Sequence, residues 1–258
     1  MLLCSCEVID RADRLIPVLP EGLSAGRTHL LVEYTGFRCV NCPTAAQTAQ
    51  EMQQTYGDRL VVVAMHPATN AFTQGKYDYT CPEADECYRY TGGTATTPFP
   101  TGTIDISRTD GEYLADPAEW ATLLMRALRY TAAPVLAVTA AADTLSREIT
   151  VTAQTYSEYT TDCRMACWLV EDSVPGVQAM PDGTVNTAYY HRHMLRAAAE
   201  DGIWGSPLMI GTSLSARTLT MPLPDGCDWR HCAIVVLLLD QDDYHVLQTK
   251  QTKIQSKQ

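Results

Sequence analysis

The sequence is poor in basic residues and has no long apolar run. Its 258 residues include 19 lysines and arginines against 30 acidic residues, which gives a net charge of −11. A surface of this sign argues against nucleic-acid binding and against a polybasic membrane patch, because both need clustered positive charge. The longest apolar run, Cys232–Leu239, is far shorter than the roughly 20 residues of a membrane-spanning helix. It predicts a buried strand instead.

The sequence also lacks internal repeats and the short fingerprints of cofactor sites. It contains no phosphate loop, no nucleophilic-serine elbow and no dinucleotide-binding glycine motif, so we predict no cofactor. His191 and His193, together with His66, resemble a set of metal ligands, and Glu171 and Asp172 add carboxylates. Two histidines that alternate on a strand are more often polar surface, and we predict no metal site.

Cysteine is the residue that the sequence has in excess, with ten in the chain. Eight of them form close pairs: Cys39/Cys42, Cys81/Cys87, Cys163/Cys167 and Cys227/Cys232. Such pairing is rare in a reducing cytosol outside metal and redox sites. Only one pair has the two-residue spacing of zinc ligands and nothing completes a ligand set, so we favour an oxidising compartment. The connectivity stays open, and we interpret Cys81/Cys87 and Cys227/Cys232 as local staples.

The N-terminus indicates export. The segment Leu3-Cys4-Ser5-Cys6 has the pattern of a bacterial lipoprotein cleavage box, although only two residues precede it. We interpret residues 1–12 as the remaining part of a lipoprotein signal together with a linker, and Cys6 as the lipidated position. The alternative is an ordinary N-terminus with two incidental cysteines.

The following segments have the pattern of a strand–helix–strand unit. His29–Tyr34 and Leu60–Met65 are compact apolar segments, and Pro43–Tyr56 between them is rich in helix formers. The fully apolar second strand is typical of a parallel sheet that is covered on both faces. The sequence therefore predicts a βαβ unit.

Beyond this unit we expect an irregular stretch, His66–Pro100, and then a third strand over residues 101–106. A helix follows, with Asp116 as its cap and Pro117 in its first turn. After Pro134 the pattern changes to short alternating runs separated by turn residues, which predicts an all-β second half.

Cys39-Val40-Asn41-Cys42 lies between the first strand and the first helix. A cysteine at a helix N-terminus is stabilised as a thiolate by the unpaired amides, and a second cysteine three residues later can resolve a mixed disulfide. We therefore predict Cys39 as the more exposed nucleophile and Cys42 as the buried resolving thiol. The alternative is a purely structural disulfide.

At these residues the chain resembles the thioredoxin superfamily. Glu33, six residues before Cys39, matches the buried acid that relays protons in that family, and Phe99-Pro100-Thr101 is similar to its cis-proline loop. Arg38 departs from the family's usual tryptophan, and the long insert before Pro98 is also unusual. The resemblance implies a catalytic set of Cys39, Cys42, Glu33 and Pro100.

A second resemblance covers nearly the whole chain, to the 28-kDa outer-membrane-protein-related family. The motifs that carry it are Glu33–Gly36, Cys39–Pro43, Met65–Ala68, Trp168–Asp172, His191–Arg196, Gly202–Gly205 and Val246–Gln248. It implies an outer-membrane lipoprotein, periplasmic or surface-exposed, with a thioredoxin-like domain and a β-domain. It implies no particular substrate.

Together these patterns predict an α/β plus all-β fold. A thioredoxin-like domain over residues 13–133 is followed by an immunoglobulin-like β-sandwich over residues 134–258. Two functions stay open: thiol–disulfide exchange with a protein substrate, and non-enzymatic binding of an envelope partner by a lipoprotein that uses the thioredoxin-like fold as a scaffold.

Overall fold

The structure, a computed structural model, describes residues 26–199 and 201–257. The predicted signal segment at residues 1–12 and the predicted lipidation site Cys6 lie outside the described residues. The first half contains β1 His29–Tyr34, α1 Cys42–Tyr56, β2 Leu60–Met65, α2 Pro82–Tyr90, β3 Thr101–Ile104 and α3 Pro117–Ala127.

The described second half is built from strands and loops, with a short 3-10 turn at Trp229–His231. Its strands are β4 Val135–Asp143, β5 Glu148–Tyr156, β6 Thr161–Glu171, β7 Val174–Ala179, β8 Val185–His191, β9 Met194–Ala198, β10 Ser206–Ile210, β11 Ser215–Pro222, β12 Cys232–Asp240 and β13 Val246–Ser256. The predicted change from helix to strand is observed between α3 and β4.

The predicted βαβ unit is observed. β1 and β2 pair in parallel, α1 connects them, and β3 runs antiparallel to β1 on its other side. Every residue of β1 and β2 is buried. The reason is that α1 and α3 cover one face of this sheet, whereas the side chains of the other face pack in a core that contains α2 and residues of the second half. The helix α3 begins as predicted, because the Asp116 carboxylate accepts from Ala118 N at 2.9 Å.

The stretch from His66 to Pro100 is not wholly irregular, and that prediction was wrong. It contains α2, which places Ala84, Cys87 and Tyr88 in the core next to the sheet. The inward face of this nine-residue helix is made of alanine, cysteine and tyrosine. It therefore lacks the aliphatic stripe that identifies a helix in sequence.

A single large sheet runs through both halves. Its strand order is β11-β5-β4-β13-β12-β6-β9-β2-β1-β3, and β10 pairs with β6. The halves meet where Ala64 of β2 pairs with Met194 of β9, and Ala64 N donates to His193 O at 2.8 Å. β7 and β8 form a separate antiparallel hairpin, called the β7–β8 hairpin below.

The strand β12 shows why its sequence is apolar at every position. Ile234 and Val236 pack in a core with β4 and β5, whereas Val235 and Leu237 pack in a core with β1 and β2. Burying a valine or leucine side chain contributes about 1.5–3 kcal/mol, so both faces of this strand stabilise the protein. The predicted buried strand is confirmed.

The architecture is thus a mixed α/β fold with a large sheet, many strands and few helices. In the described residues no helix is long and apolar enough to cross a membrane. The division into domains at residue 134 stays a prediction, since strands of both halves share one sheet and one core.

Candidate functional site

The cysteine motif lies at the turn from β1 into α1. Cys39 and Cys42 are joined by a disulfide, with their Cα atoms 5.4 Å apart. Cys39 N donates to Gly36 O at 3.0 Å, which closes the turn, and Asn41 is the N-cap residue of α1. The motif therefore has the position that the sequence predicted for it.

Both cysteines are buried, each with 1% of its surface exposed, so the prediction of a more exposed Cys39 was wrong. The β7–β8 hairpin covers the motif. Gln178 Nε2 donates to Cys39 O at 2.8 Å and to Gly36 O at 3.3 Å. Ala179 N donates to Phe37 O at 2.8 Å. A segment about 140 residues away in sequence thus occupies the surface that we expected to be open to solvent.

Glu33 is buried in β1, as predicted, between Ala64 of β2 and Gly102 of β3. Its Oε1 atom has no hydrogen-bond partner in the described part of the chain. Burial disfavours the charged carboxylate and raises the pKa of Glu33 to about 8. A buried acid that is neutral near pH 7 can both hold and release a proton there.

Pro100 directly precedes β3, and the Phe99–Pro100 peptide bond is cis, as expected from the resemblance. In the register of the sheet, Thr101 lies beside Tyr34, so Pro100 adjoins the strand that carries Glu33. Phe99 packs in the same core as Cys39 and Cys42. The catalytic role predicted for Pro100 remains a prediction.

A cavity of about 360 Å³ opens at the carboxyl ends of β1 and β2, where open α/β sheets commonly bind ligands. Glu33 and Cys42 belong to its wall, whereas Cys39 and Pro100 do not. The other lining residues come mainly from α1 and from the β7–β8 hairpin with the residues after it: Thr35, Pro43, Ala46, Gln47, Ala49, Gln50, Ala64, His66, Gln178, Tyr189, Tyr190, His191, Arg192 and His193.

His66 is a polar residue of this wall that the sequence did not assign to the cysteine site. It is buried, and neither ring nitrogen has a hydrogen-bond partner among the described residues. Burial lowers the pKa of His66 to about 3, so the ring is uncharged at neutral pH. The signal was available, since His66 directly follows an apolar parallel strand and therefore lies at its carboxyl end.

The histidines considered as metal ligands are partly brought together. His66 and His191 have ring centroids 5.4 Å apart, and His193 is on the same cavity wall. Glu171 is elsewhere engaged, because its Oε2 atom lies 3.3 Å from Arg196 Nε. Within the described ranges, three possible ligands converge within 4.8 Å at Asp240, Asp243 and His245, a partly exposed group.

The other cysteines of the described part of the chain are free thiols, unlike the local staples that we expected. They are Cys81, Cys87, Cys163, Cys167, Cys227 and Cys232. Several of them lie within helices or strands. Cys87, for example, lies inside α2 with its Sγ 3.3 Å from the Tyr34 hydroxyl, and burial raises its pKa to about 12.

Comparison with known proteins finds similarity at the level of family and fold. The family model described as outer membrane protein Omp28 matches residues 85–258. HBP35 of Porphyromonas gingivalis superposes with a TM-score of 0.68 at 16% identity, covering 90% of this chain and 76% of its own. Protein AGR_C_4864 of Agrobacterium tumefaciens reaches 0.50 at 12% identity, covering 88% and 93%.

A domain of the outer membrane lipoprotein Omp28 from Porphyromonas gingivalis is 21% identical over 48% of this chain and 90% of its own, with a TM-score of 0.33. No curated protein matches the sequence.

Proposed function

The chain belongs to the family of the outer membrane protein Omp28, and from that premise we propose that it is an outer-membrane lipoprotein that exchanges thiols and disulfides at Cys39 and Cys42. Membership confirms the resemblance to the 28-kDa family and the predicted association with the outer membrane. The lipid anchor on Cys6 and the redox activity are part of the proposal.

The proposal assigns a thioredoxin-like fold to the first half and an immunoglobulin-like sandwich to the second. The first is supported by the parallel β1–α1–β2 unit, the antiparallel β3 and the cis bond before Pro100. The second is supported by β4 and β5, which share a core with β6 and β12. The boundary stays at residue 134.

The observation that carries the activity is that Glu33 and Cys42 share the wall of one cavity. In the reduced protein, Cys39 attacks a substrate disulfide and forms a mixed disulfide with one substrate sulfur while the other leaves as a thiol. Cys42 then loses its proton and attacks the Cys39 sulfur, which releases the substrate. The ionised fraction of Glu33 accepts that proton; because the pKa of Glu33 is raised to about 8, its carboxylate is a base of nearly the strength of a thiolate.

A second candidate is the non-enzymatic one, in which the protein binds an envelope partner and the disulfide is structural. The observation in its favour is the burial of both sulfurs beneath the β7–β8 hairpin. The two candidates predict different reduction potentials for the Cys39–Cys42 couple. A catalytic couple lies at roughly −120 to −270 mV and a structural one below about −300 mV.

Trapping of partners tests the activity directly. Cys42→Ala removes the resolving thiol, so Cys39 should retain substrates as mixed disulfides in envelope extracts. Cys39→Ala is the matched control and should retain none. Glu33→Gln should slow turnover of a disulfide substrate and leave the domain folded. If Cys42→Ala traps nothing and the wild type turns over no disulfide, the binding function is the better description.

The lipid anchor is tested separately by expression behind a native lipoprotein signal. The protein should then incorporate labelled palmitate, and Cys6→Ala should abolish the label and release the protein from membranes. Cys4→Ala, which changes the neighbouring cysteine, should keep both. Unchanged labelling of Cys6→Ala would contradict the assignment.

A further inference from the structure

A second pair of thiols lies in the other half of the protein, remote in sequence from the motif discussed above. Cys227 and Cys232 flank the 3-10 turn Trp229–His231, and Cys232 is the first residue of β12. Both side chains are buried in the core that contains β4, β5 and β6. Both are free thiols.

An arginine is in contact with one of these thiols. Arg196 Nε lies 3.3 Å from Cys227 Sγ. The same nitrogen is 3.3 Å from Glu171 Oε2, and Glu171 Oε1 accepts from Asp228 N at 2.9 Å. Glu171 therefore fixes both the guanidinium and the backbone that follows Cys227, so that a positive charge is directed at the sulfur.

The two thiols are close in sequence and share this core. The neighbouring Cys232 thiol, together with Arg196, lowers the pKa of Cys227 despite its burial. The neighbouring Cys227 and burial raise the pKa of Cys232 well above the usual value. Such a split is expected when one sulfur carries the negative charge and the other donates to it.

Cys227 is also reachable from the surface. It is on the wall of a cavity of about 300 Å³ together with Arg147, Asp228, Trp229 and Arg230. Cys163 and Cys167, in the same core, are not part of this wall. Burial raises their pKa to about 11 and about 12. They have the environment of inert structural cysteines.

We propose that Cys227 and Cys232 form a second, independent redox couple, in which Cys227 is the nucleophile, Cys232 the resolving thiol and Arg196 the positioning residue. The substrate class is a low-molecular-weight disulfide small enough for the cavity. This site does not depend on the function proposed for Cys39 and Cys42.

The chemistry balances with that disulfide as the oxidant. The Cys227 thiolate attacks one of its sulfur atoms, so that a mixed disulfide forms, the original S–S bond breaks and one small thiolate leaves. Cys232 then loses its proton and attacks the Cys227 sulfur, which forms the Cys227–Cys232 disulfide and releases the second small thiol. The two protons of the dithiol end on the two small thiols.

Thiol reactivity in the reduced full-length chain tests the proposal, in a Cys39→Ala/Cys42→Ala background that removes the first couple. Iodoacetamide labelling at pH 7, resolved by peptide mass spectrometry, should modify Cys227 at least tenfold faster than Cys163 or Cys167. With 2-hydroxyethyl disulfide, this background should form the Cys227–Cys232 bond. Cys232→Ala should instead keep one mercaptoethanol group on Cys227.

Arginine variants separate positioning from folding. Arg196→Gln should slow Cys227 labelling about tenfold and move its pH profile to higher pH, whereas Arg196→Lys should restore part of both. Arg217→Gln, which removes another partly exposed arginine paired with an acid, is the control and should change neither. The proposal is overturned if Cys227 reacts no faster than Cys163, or if the Cys232→Ala protein carries no adduct on Cys227.

Discussion

Each of the two proposed redox couples, Cys39/Cys42 and Cys227/Cys232, has a buried glutamate nearby, and the surroundings of the two glutamates differ. Glu33, 3% exposed, lies on the cavity wall with Cys42, and its Oε1 has no partner in the described residues. Glu171, 5% exposed, binds Arg196 and accepts from Asp228 N. Both carboxyl groups have lost water, but only the second has received a cation and an amide in exchange.

The difference teaches how burial can be used in two ways. At the first pair, the carboxyl group avoids the cost of a buried charge by remaining mostly protonated near neutral pH, and its ionised fraction can accept the proton that Cys42 must lose. At the second pair, the guanidinium compensates the carboxylate and also contacts Cys227, so it favours the thiolate form of that residue. At the first site the buried carboxyl group binds and releases a proton, whereas at the second site the arginine stabilises a thiolate.

The largest expected effect is on the pH dependence of stability at the first site. Because the pKa of Glu33 is raised to about 8, the unfolded chain ionises at lower pH than the folded one. Between the usual pKa of a glutamate side chain and pH 8, the free energy of unfolding should fall by about 1.4 kcal/mol per pH unit. The total loss is on the order of 5 kcal/mol. Glu33→Gln should remove this slope.

Urea unfolding of the oxidised wild type and of Glu33→Gln at pH 5 and pH 8 measures the effect. The free energy of unfolding of the variant should rise relative to that of the wild type as the pH increases. The stabilising contribution of protonated Glu33 is fully present in the wild type at low pH and is lost as the pH rises to 8. Equal slopes for the two proteins would mean that Glu33 is ionised in the fold.

A somewhat smaller effect of opposite sign is expected at the second site. Glu171→Gln leaves the half-buried Arg196 without its counter-charge, which should lower the free energy of unfolding by about 2–3 kcal/mol, less than for a fully buried pair because water partly screens the guanidinium. The loss should be present at pH 7, where Glu33→Gln is stabilising. Thermal and urea unfolding of both variants at this pH compares them, and a stabilised Glu171→Gln protein would remove the contrast between the sites.

The smallest effect concerns access to the first disulfide. Gln178→Ala removes the hydrogen bonds from the β7–β8 hairpin to Cys39 O and Gly36 O. A loss of about 1 kcal/mol should raise the rate of reduction by dithiothreitol about fivefold. Gln154→Ala, which removes an amide side chain from β5, should leave the rate unchanged. No acceleration in Gln178→Ala would mean that the hairpin does not limit access.

The local elements of the first half could be predicted because short-range patterns encode them. The sequence predicted the strands His29–Tyr34 and Leu60–Met65 and the helix cap at Asp116, and the structure contains all three. The helix Pro82–Tyr90 was missed, since its inward residues form no aliphatic stripe. The burial of Glu33 was also predicted, because its neighbours in the strand are apolar on both sides, which favours a buried position over a surface one.

What the sequence by itself determined is therefore the strand–helix motif, its cysteine pair, the apolar strand Cys232–Leu239 and the family. Only the tertiary structure decided that a hairpin from the second half covers Cys39, and that Arg196 and Glu171 meet Cys227. The reason is physical: helix and strand periods act over a few residues, whereas these contacts join segments that are tens to more than a hundred residues apart. Their pairing depends on how the single sheet and its two cores bring the halves together.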